Sequence, residues 1–280
     1  ALSYERVSRF SIGCRTLAVR EAVVSGPLPQ TVLITGATGG IGGALAQVYA
    51  APGRTLILQG RHAPRLDELA AVCTARGARV VCQVLDLCDR EATDRWLRSV
   101  AQAEAPDLVI VNAGLNNNIG QGRAGERWSD VRSLLEVNLI AALATVDALL
   151  PAMRQRRYGQ IALISSLAAY HGLPITPSYC ASKAALKAYG EAIRGWLAPE
   201  GIRVNVVMPG YVESKMCREM PGPKPFLWTP ERAAERIRRG LARNQARISF
   251  PFPLNLGTWF LAVLPAGLAG RILRWLNYGG

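Results

Sequence analysis

Short apolar runs alternate with longer helical patterns along most of this chain. Six runs have the length and composition of buried β-strands, at 30–35, 55–59, 80–85, 108–111, 160–164 and 203–207. Helical patterns lie between or after them, at 44–51, 64–76, 89–103, 130–154 and 177–198. Because strands that alternate with helices favour a parallel sheet covered on both faces, we expect one doubly wound α/β domain of the Rossmann type.

Three segments are predicted along the sequence. Residues 1–29 contain several arginines and no sustained apolar run, so they predict an N-terminal arm and no secretory signal. Residues 30–247 contain the alternating pattern and form the predicted dinucleotide-binding and catalytic domain. Residues 248–280 form an apolar C-terminal extension.

The charge, cysteine and histidine content limit the classes of ligand and site that the chain can have. The net charge is +13 with a pI near 10.0, so nucleic acid, anionic lipid and phosphorylated ligands are all attracted to the chain. Nucleic-acid binding would rest on charge alone, and no specific nucleic acid is expected. The six cysteines have no metal-binding or C-x-x-C spacing, which predicts reduced thiols in the cytoplasm. His62 and His171 are far apart in the sequence, and no metal site is expected.

A glycine-rich turn follows the first predicted strand. Gly36, Gly40 and Gly42 have the spacing G-x-x-x-G-x-G, and a helical pattern comes next. Glycines allow the backbone to approach a pyrophosphate, and the helix N-terminus supplies N–H groups and positive potential. The alternative is a glycine turn without a ligand.

Arg61 lies just after the second predicted strand, where dinucleotide-binding folds commonly have an acidic residue that binds the adenosine ribose. No Asp or Glu occupies positions 59–61. Arg61, with Arg65 nearby, therefore favours NADP over NAD, although a solvated arginine at a helix start would look the same.

A phenol and an ammonium group are predicted to share one helix face. Tyr179 and Lys183 are four residues apart, and Ser166 precedes Tyr179 by thirteen residues. A free phenol has a pKa near ~10, and a nearby cation is the obvious means to lower it toward neutrality. We therefore expect a proton-transfer site.

These motifs together resemble the short-chain dehydrogenase/reductase family. The matching elements occur in the family order over about residues 30–215: the glycine turn, Asn112-Ala113-Gly114, Asn138, Ser166, Tyr179-x-x-x-Lys183 and Pro209-Gly210. The resemblance implies nicotinamide-dependent carbonyl or alcohol chemistry on a Rossmann-type sheet, and it leaves a homodimer or tetramer open.

The resemblance also implies roles for the catalytic residues. Tyr179 would be the general acid in reduction and the base in oxidation, and Ser166 would hold the substrate oxygen. Lys183 would bind the nicotinamide ribose and lower the pKa of Tyr179. Asn138 would anchor a water that connects Lys183 to solvent.

A second set of residues is implied for binding of NADP(H). This set is Gly36, Thr38, Gly39, Ile41, Arg61, Asp86, Leu87, Asn112, Gly114, Tyr179, Lys183, Pro209, Val212 and Ser214. Ser214 stands where the family usually has Thr, and Val111 stands where many members have a second Asn.

The C-terminal extension leaves two interpretations open. Residues 248–270 carry no charge, but prolines interrupt them, so a transmembrane span is not expected. Arg232, Arg236, Arg239 and Arg243 form a predicted basic face upstream, and Arg271, Arg274, Trp275 and Tyr278 resemble an interface anchor downstream. Residues 232–280 could bind the anionic inner face of a membrane, or pack over the substrate cleft or a partner subunit. Either way, a hydrophobic or lipid-like substrate is favoured.

The leading functional hypothesis is an NADP(H)-dependent oxidoreductase that interconverts a small-molecule carbonyl and a secondary alcohol. The alternative is a non-catalytic NADP(H)-sensing or scaffold protein on the same fold. Retention of Asn138, Ser166, Tyr179 and Lys183 together argues against that alternative, because a sensor could lose them freely.

Overall fold

A parallel seven-stranded sheet lies at the centre of the computed structural model, which describes residues 29–276 apart from positions 121 and 123. The strands are β1 Thr31–Ile34, β2 Thr55–Gly60, β3 Arg79–Val84, β4 Leu108–Val111, β5 Gly159–Ile164, β6 Ile202–Pro209 and β7 Arg247–Phe250. Their order in the sheet is β3-β2-β1-β4-β5-β6-β7. The six predicted strands are all present, and the predicted fold class is confirmed.

Ten α-helices are described between and after these strands. They are α1 Gly40–Tyr49, α2 Ala63–Ala75, α3 Arg90–Ala103, α4 Trp128–Leu135, α5 Ala141–Arg156, α6 Pro177–Leu197, α7 Lys215–Glu219, α8 Pro230–Ala242, α9 Leu254–Val263 and α10 Ala266–Trp275. A π-helical turn, Glu136–Ile140, joins α4 to α5, so the helix predicted at 130–154 contains a local widening around Asn138.

The alternation of side chains along each strand divides the core into two layers. Val32 and Ile34 of β1 pack with residues of α1, α2 and α8 on one face of the sheet. Leu33 packs with residues of α3, α5 and α6 on the other face. Each fully buried aliphatic side chain of this kind stabilises the fold by about 1.5–3 kcal/mol. Burial on both faces explains why the central strands β1, β2, β4 and β5 are mainly apolar.

The strand order reverses between β1 and β4, and this point positions the functional motifs. Ile34 of β1 is in register with Leu58 of β2 on one side and with Ile110 of β4 on the other. The residues that follow these three strands therefore meet at one edge of the sheet. Ligands bind at such a switch point in open α/β sheets.

The seventh strand was not predicted. Arg247–Phe250 pairs in parallel with the end of β6, and Ile248 and Phe250 are buried. The boundary expected between residues 247 and 248 thus falls inside β7. Its sequence, Arg247-Ile248-Ser249-Phe250, alternates polar and apolar residues, so it lacks the apolar run that indicated the other strands.

The C-terminal extension forms two short helices after β7. At ten residues, α9 is about 15 Å long, half of what the ~30 Å hydrocarbon layer requires. Within the described residues, Trp128–Arg156 is the one helix long and apolar enough to span a membrane, and half of its most apolar window is buried in the core. Residues 1–28 of the predicted N-terminal arm lie outside the described residues, and so does Tyr278.

Candidate active site

The glycine turn connects β1 directly to the first turn of α1. Gly36 has a φ of +64°, and a Cβ there would lie 2.7 Å from Cα of Ala113. A Cβ on Gly42 would lie 2.4 Å from the Gly36 carbonyl oxygen. Both contacts are with backbone, so neither position tolerates a side chain without movement of the turn. The helix begins at Gly40, earlier than predicted, which places its free N–H groups within the motif.

Two buried polar side chains, to which the sequence analysis gave no role, hold this turn. The Gly36 N–H donates to Gln59 Oε1 (2.9 Å), and Gln59 Nε2 donates to the Leu85 carbonyl (2.7 Å). The hydroxyl oxygen of Thr35 accepts from the N–H groups of Asn112 (3.0 Å) and Ala113 (3.1 Å). These bonds join the ends of β1, β2, β3 and β4. Their only sequence signal was a polar residue at the end of an apolar run.

Asn112 completes this arrangement. Its Nδ2 donates to the carbonyl oxygens of Thr35 and Gly36, both at 3.0 Å. The side chain therefore ties β4 to the glycine turn, and it also lines the cleft.

Arg61 follows β2 at the outer end of the cleft. Its guanidinium lies 3.8 Å from the carboxylate of Asp86, and both side chains are about half exposed. Such a loose, solvated ion pair contributes at most about 1 kcal/mol, so Arg61 is free to exchange this partner for another anion. Arg65 and the buried Leu87 line the same region.

Tyr179 and Ser166 both line the cleft. Ser166 lies beside the Tyr179 phenol, and the Ser166 oxygen accepts from the Ala168 N–H at 3.1 Å. Burial raises the pKa of the Tyr179 phenol to about 12, whereas the neighbouring Ser166 hydroxyl lowers it. The sequence analysis expected a pKa lowered by Lys183. Here the pKa is raised, because the loss of solvent around the phenolate outweighs the stabilising groups.

Lys183 lies one helical turn beyond Tyr179 on α6. Its ammonium donates to the Ile164 carbonyl (2.9 Å) and lies 5.7 Å from the centre of the Tyr179 ring. Burial lowers the pKa of Lys183 to about 8, so the group is still mainly protonated at pH 7. Ser165 fixes the helix behind it, since its hydroxyl donates to the Lys183 carbonyl at 2.7 Å.

Asn138 is fully buried behind the cleft wall, in the π-helical turn. Its Oδ1 accepts from the Leu115 N–H (2.7 Å), and its Nδ2 donates to the Leu115 carbonyl (2.9 Å) and to Ser182 Oγ (3.0 Å). A Cβ placed on Gly114 would lie 3.4 Å from both Asn138 Oδ1 and Lys183 Nζ. Asn138 therefore positions the segment after β4 against α6.

The segment after β6 forms another part of the cleft wall. Pro209 and Val212 are buried there. Ser214 caps α7, because its hydroxyl oxygen accepts from the Cys217 N–H at 3.0 Å. Its oxygen is thus engaged with the backbone at the cleft wall.

One continuous cleft of about 1460 Å³ is lined by every predicted site residue except Asn138. We call the part bounded by residues 36–43, 59–61, 86–87 and 112–114 the glycine-turn half. The other part, the apolar half, is bounded by segment 167–173 and by the C-terminal helices. Side chains from those helices that line it include Leu254, Thr258, Phe260, Leu261, Ile272, Leu273 and Leu276. Tyr179 lies where the two halves meet.

The C-terminal extension therefore packs over the cleft, which is one of the two interpretations left open by the sequence. Leu261, Ala269 and Leu273 form a small core of their own with Leu173 and Ile272. The sequence analysis assigned no individual residue of α9 or α10 to the cleft lining. Their apolar character was visible, but no motif indicated which of them face the cleft.

The predicted basic face on α8 is partly neutralised within the protein. Arg232 stacks over Trp228 at 4.1 Å, and Arg236 donates to Gln245 Oε1 at 3.1 Å. Arg239 pairs with Glu235 at 2.9 Å. Of these three arginines, only Arg239 has its charge compensated by a carboxylate, while Trp228 and Gln245 hold the other two in place without removing their charge.

The sequence from 30 to 223 matches the family model described as short chain dehydrogenase. The chain belongs to the short-chain dehydrogenase/reductase family. It is therefore an oxidoreductase by family, with a Rossmann-type single-domain fold.

Relatives and solved structures agree with this assignment. An uncharacterised oxidoreductase of Myxococcus xanthus is 36% identical over 249 residues, which cover 88% of this chain and 98% of the relative. A short-chain dehydrogenase from Sphingobium yanoikuyae, solved in complex with NADPH, is 25% identical with a TM-score of 0.74, covering 89% of this chain and 96% of that one. A short-chain dehydrogenase from Mycobacterium paratuberculosis, bound to NAD, is also 25% identical, with a TM-score of 0.70 and coverage of 81% and 98%. Structural neighbours thus bind either coenzyme.

Proposed function

We propose that this protein is an NADP(H)-dependent oxidoreductase that interconverts a carbonyl and a secondary alcohol on a hydrophobic or lipid-like substrate. The observation that carries the proposal is the position of Tyr179. Its hydroxyl has Ser166 as a neighbour, and Lys183 lies beside its ring, where a glycine-turn half and an apolar half of one cleft meet.

The glycine-turn half fits a dinucleotide. Gly36 and Gly42 leave no room for a side chain, so the backbone itself can approach a pyrophosphate at the N-terminus of α1. Gly39, Thr38 and Ile41 would line that position, with Asn112 and Gly114 along the ribose and Leu87 beside the adenine. Bound there, NADP(H) supplies or accepts the hydride.

Side chains of the protein carry out the proton transfer. During reduction, Tyr179 donates its phenolic proton to the substrate oxygen, and Ser166 donates a hydrogen bond to the same oxygen. The positive charge of Lys183 stabilises the phenolate that Tyr179 becomes, and its N–H groups would also bind the nicotinamide ribose. In oxidation the direction reverses, and Tyr179 must first lose its proton. Asn138 contributes by positioning, through Leu115 and Ser182.

The preference for NADP rests on Arg61. Its guanidinium is half exposed and only loosely paired with Asp86, and Arg65 lines the cleft nearby. Two arginines and no acidic residue at the end of β2 suit a 2′-phosphate, whereas a carboxylate there would repel it.

The preference for an apolar substrate rests on the C-terminal helices. Leu254, Leu261 and Leu273 line the half of the cleft opposite the glycine turn. A pocket wall of this kind gains affinity from each methylene group that it removes from water. The proposed setting is the cytoplasm, and the proposed assembly is a homodimer or tetramer.

A coenzyme screen tests the proposal. Lipid-like ketones, steroids and retinoids are offered with NADPH or with NADH, and coenzyme oxidation is followed by absorbance. We expect turnover with NADPH, a weaker rate with NADH, and loss of most turnover in Ser166→Ala. NADPH binding without turnover of any ketone or alcohol would instead favour the NADP(H)-sensing alternative.

A further inference from the structure

Helix α9 has two apolar faces. Leu254, Thr258 and Leu261 lie toward the cleft. A second stripe follows the helical spacing i, i+3, i+4 and i+7, and its members are 45–59% exposed: Leu256, Trp259, Phe260 and Val263. A helix on the surface of a globular protein normally has polar residues at such positions. The outward stripe therefore lacks an explanation in the core of this chain.

Helix α10 also has exposed apolar side chains. Leu268 and Trp275 are 46% and 81% exposed, and Trp275 is the most exposed large apolar side chain among the described residues. Arg271 and Arg274 are exposed on the same helix. We call the α9 stripe together with Leu268, Trp275 and these two arginines the outer face.

Charge decides which partner suits the outer face. The sequence contains no Asp or Glu from Arg236 to its end, so the arginines of the outer face lack acidic neighbours in sequence. If the outer faces of two copies met, each would bring its own Arg271 and Arg274 against helices α9 and α10, which contain no carboxylate. An anionic phospholipid surface offers both apolar depth for the tryptophans and negative charge for the arginines.

We propose that the outer face docks on an anionic phospholipid bilayer, with the mouth of the cleft opening at the docked surface. Phe260 and Leu276 line the cleft and are also 51% and 44% exposed, so they stand at its rim, and Phe260 belongs to the outer face as well. An apolar substrate dissolved in the bilayer could then enter without crossing water. This second part rests on the proposed function, whereas the docking itself does not.

Vesicle binding tests the docking without coenzyme or substrate. The full chain is floated with vesicles of phosphatidylcholine alone, or of phosphatidylcholine mixed with phosphatidylglycerol. We expect binding to the mixed vesicles at least about tenfold tighter than to the neutral ones. W259S/W275S and R271Q/R274Q should each weaken binding to the mixed vesicles by about tenfold.

Trp128→Ser is the matched control, because Trp128 is 68% exposed but lies on α4. It should float like the unchanged protein. Neither Trp259 nor Trp275 lines the cleft, so turnover of a small water-soluble ketone should be the same in every variant. Absence of flotation, or equal flotation of all variants, would overturn the docking and leave the reductase assay untouched. Self-association that W259S/W275S abolishes, without vesicle binding, would assign the outer face to a second copy.

Discussion

The glycine-turn half of the cleft is bounded by backbone and buried polar groups, whereas the apolar half is bounded by large side chains from two short helices. In the first half, hydrogen bonds to the backbone fix the side-chain positions of Thr35, Gln59 and Asn112. In the second, Leu261 and Leu273 are held by packing against a small core. Hydrogen bonds and close backbone contacts demand particular residues, while packing demands only apolar volume. We therefore expect substitutions to have larger and more specific effects in the glycine-turn half.

Among the substitutions that compare the two halves, Gly42→Ala should have the largest effect on stability and on NADPH binding. The added methyl would lie 2.4 Å from the Gly36 carbonyl oxygen, so we expect destabilisation of about 3 kcal/mol and at least a hundredfold weaker NADPH binding. Thermal unfolding and NADPH fluorescence titration measure these effects. Gly195→Ala is the control, because a Cβ on Gly195 in α6 meets no atom within 4 Å and should stabilise the helix by up to about 1 kcal/mol. Similar behaviour of the two variants would contradict the close-contact argument.

The pH dependence of reduction should follow Lys183 at the junction of the halves. Below a pH of about 12 Tyr179 keeps its proton and can donate it. As the pH rises through about 8, Lys183 loses the charge that stabilises the resulting phenolate. We expect kcat/KM for reduction to be level below pH 8 and to fall by about tenfold per pH unit above it.

Lys183→Arg distinguishes this explanation from others. A guanidinium stays charged throughout the assay range, so the decline near pH 8 should disappear even if the rate is lower. Circular dichroism would verify that the variant is folded. An unchanged decline near pH 8 would show that another group titrates.

Arg61→Ala should affect the coenzyme preference and little else. Loss of a half-exposed guanidinium should raise the KM for NADPH about tenfold and change the KM for NADH by less than about twofold. Arg95→Ala is the matched control, since Arg95 forms a surface ion pair on α3 and should leave both KM values unchanged. An equal rise for both coenzymes would contradict a 2′-phosphate role.

Leu261→Ala should have the smallest effect, confined to large substrates. Removing part of the wall should lower kcat/KM about fivefold for long apolar ketones, and leave small ketones unaffected. Leu256→Ala, on the opposite side of α9, should change neither value in an assay without lipid. A uniform loss for all ketones would indicate damage to the fold rather than to the apolar half.

The same contrast explains what could be predicted from sequence. The central strands and the motifs at their ends were visible, because burial on both faces gives apolar runs and because the glycine turn needs a fixed spacing. Strand β7 was missed because its four residues alternate polar and apolar side chains and form no apolar run. The cleft-lining leucines of α9 and α10 were missed because their facing depends on tertiary packing. The pKa of Tyr179 was predicted to be lowered but is raised, because the burial of a side chain cannot be inferred from sequence spacing.

Tyr179→Phe tests the central claim most directly. The substitution removes the proton donor and keeps the ring that packs near Lys183, so NADPH binding and stability should stay within about twofold and 1 kcal/mol of the unchanged protein. Tyr189→Phe, on the same helix but outside the cleft lining, is the control. With a ketone that the protein reduces, we expect kcat to fall by about a hundredfold or more in Tyr179→Phe and to be unchanged in Tyr189→Phe. Equal kcat values in the two variants would contradict the assignment of Tyr179 as the general acid.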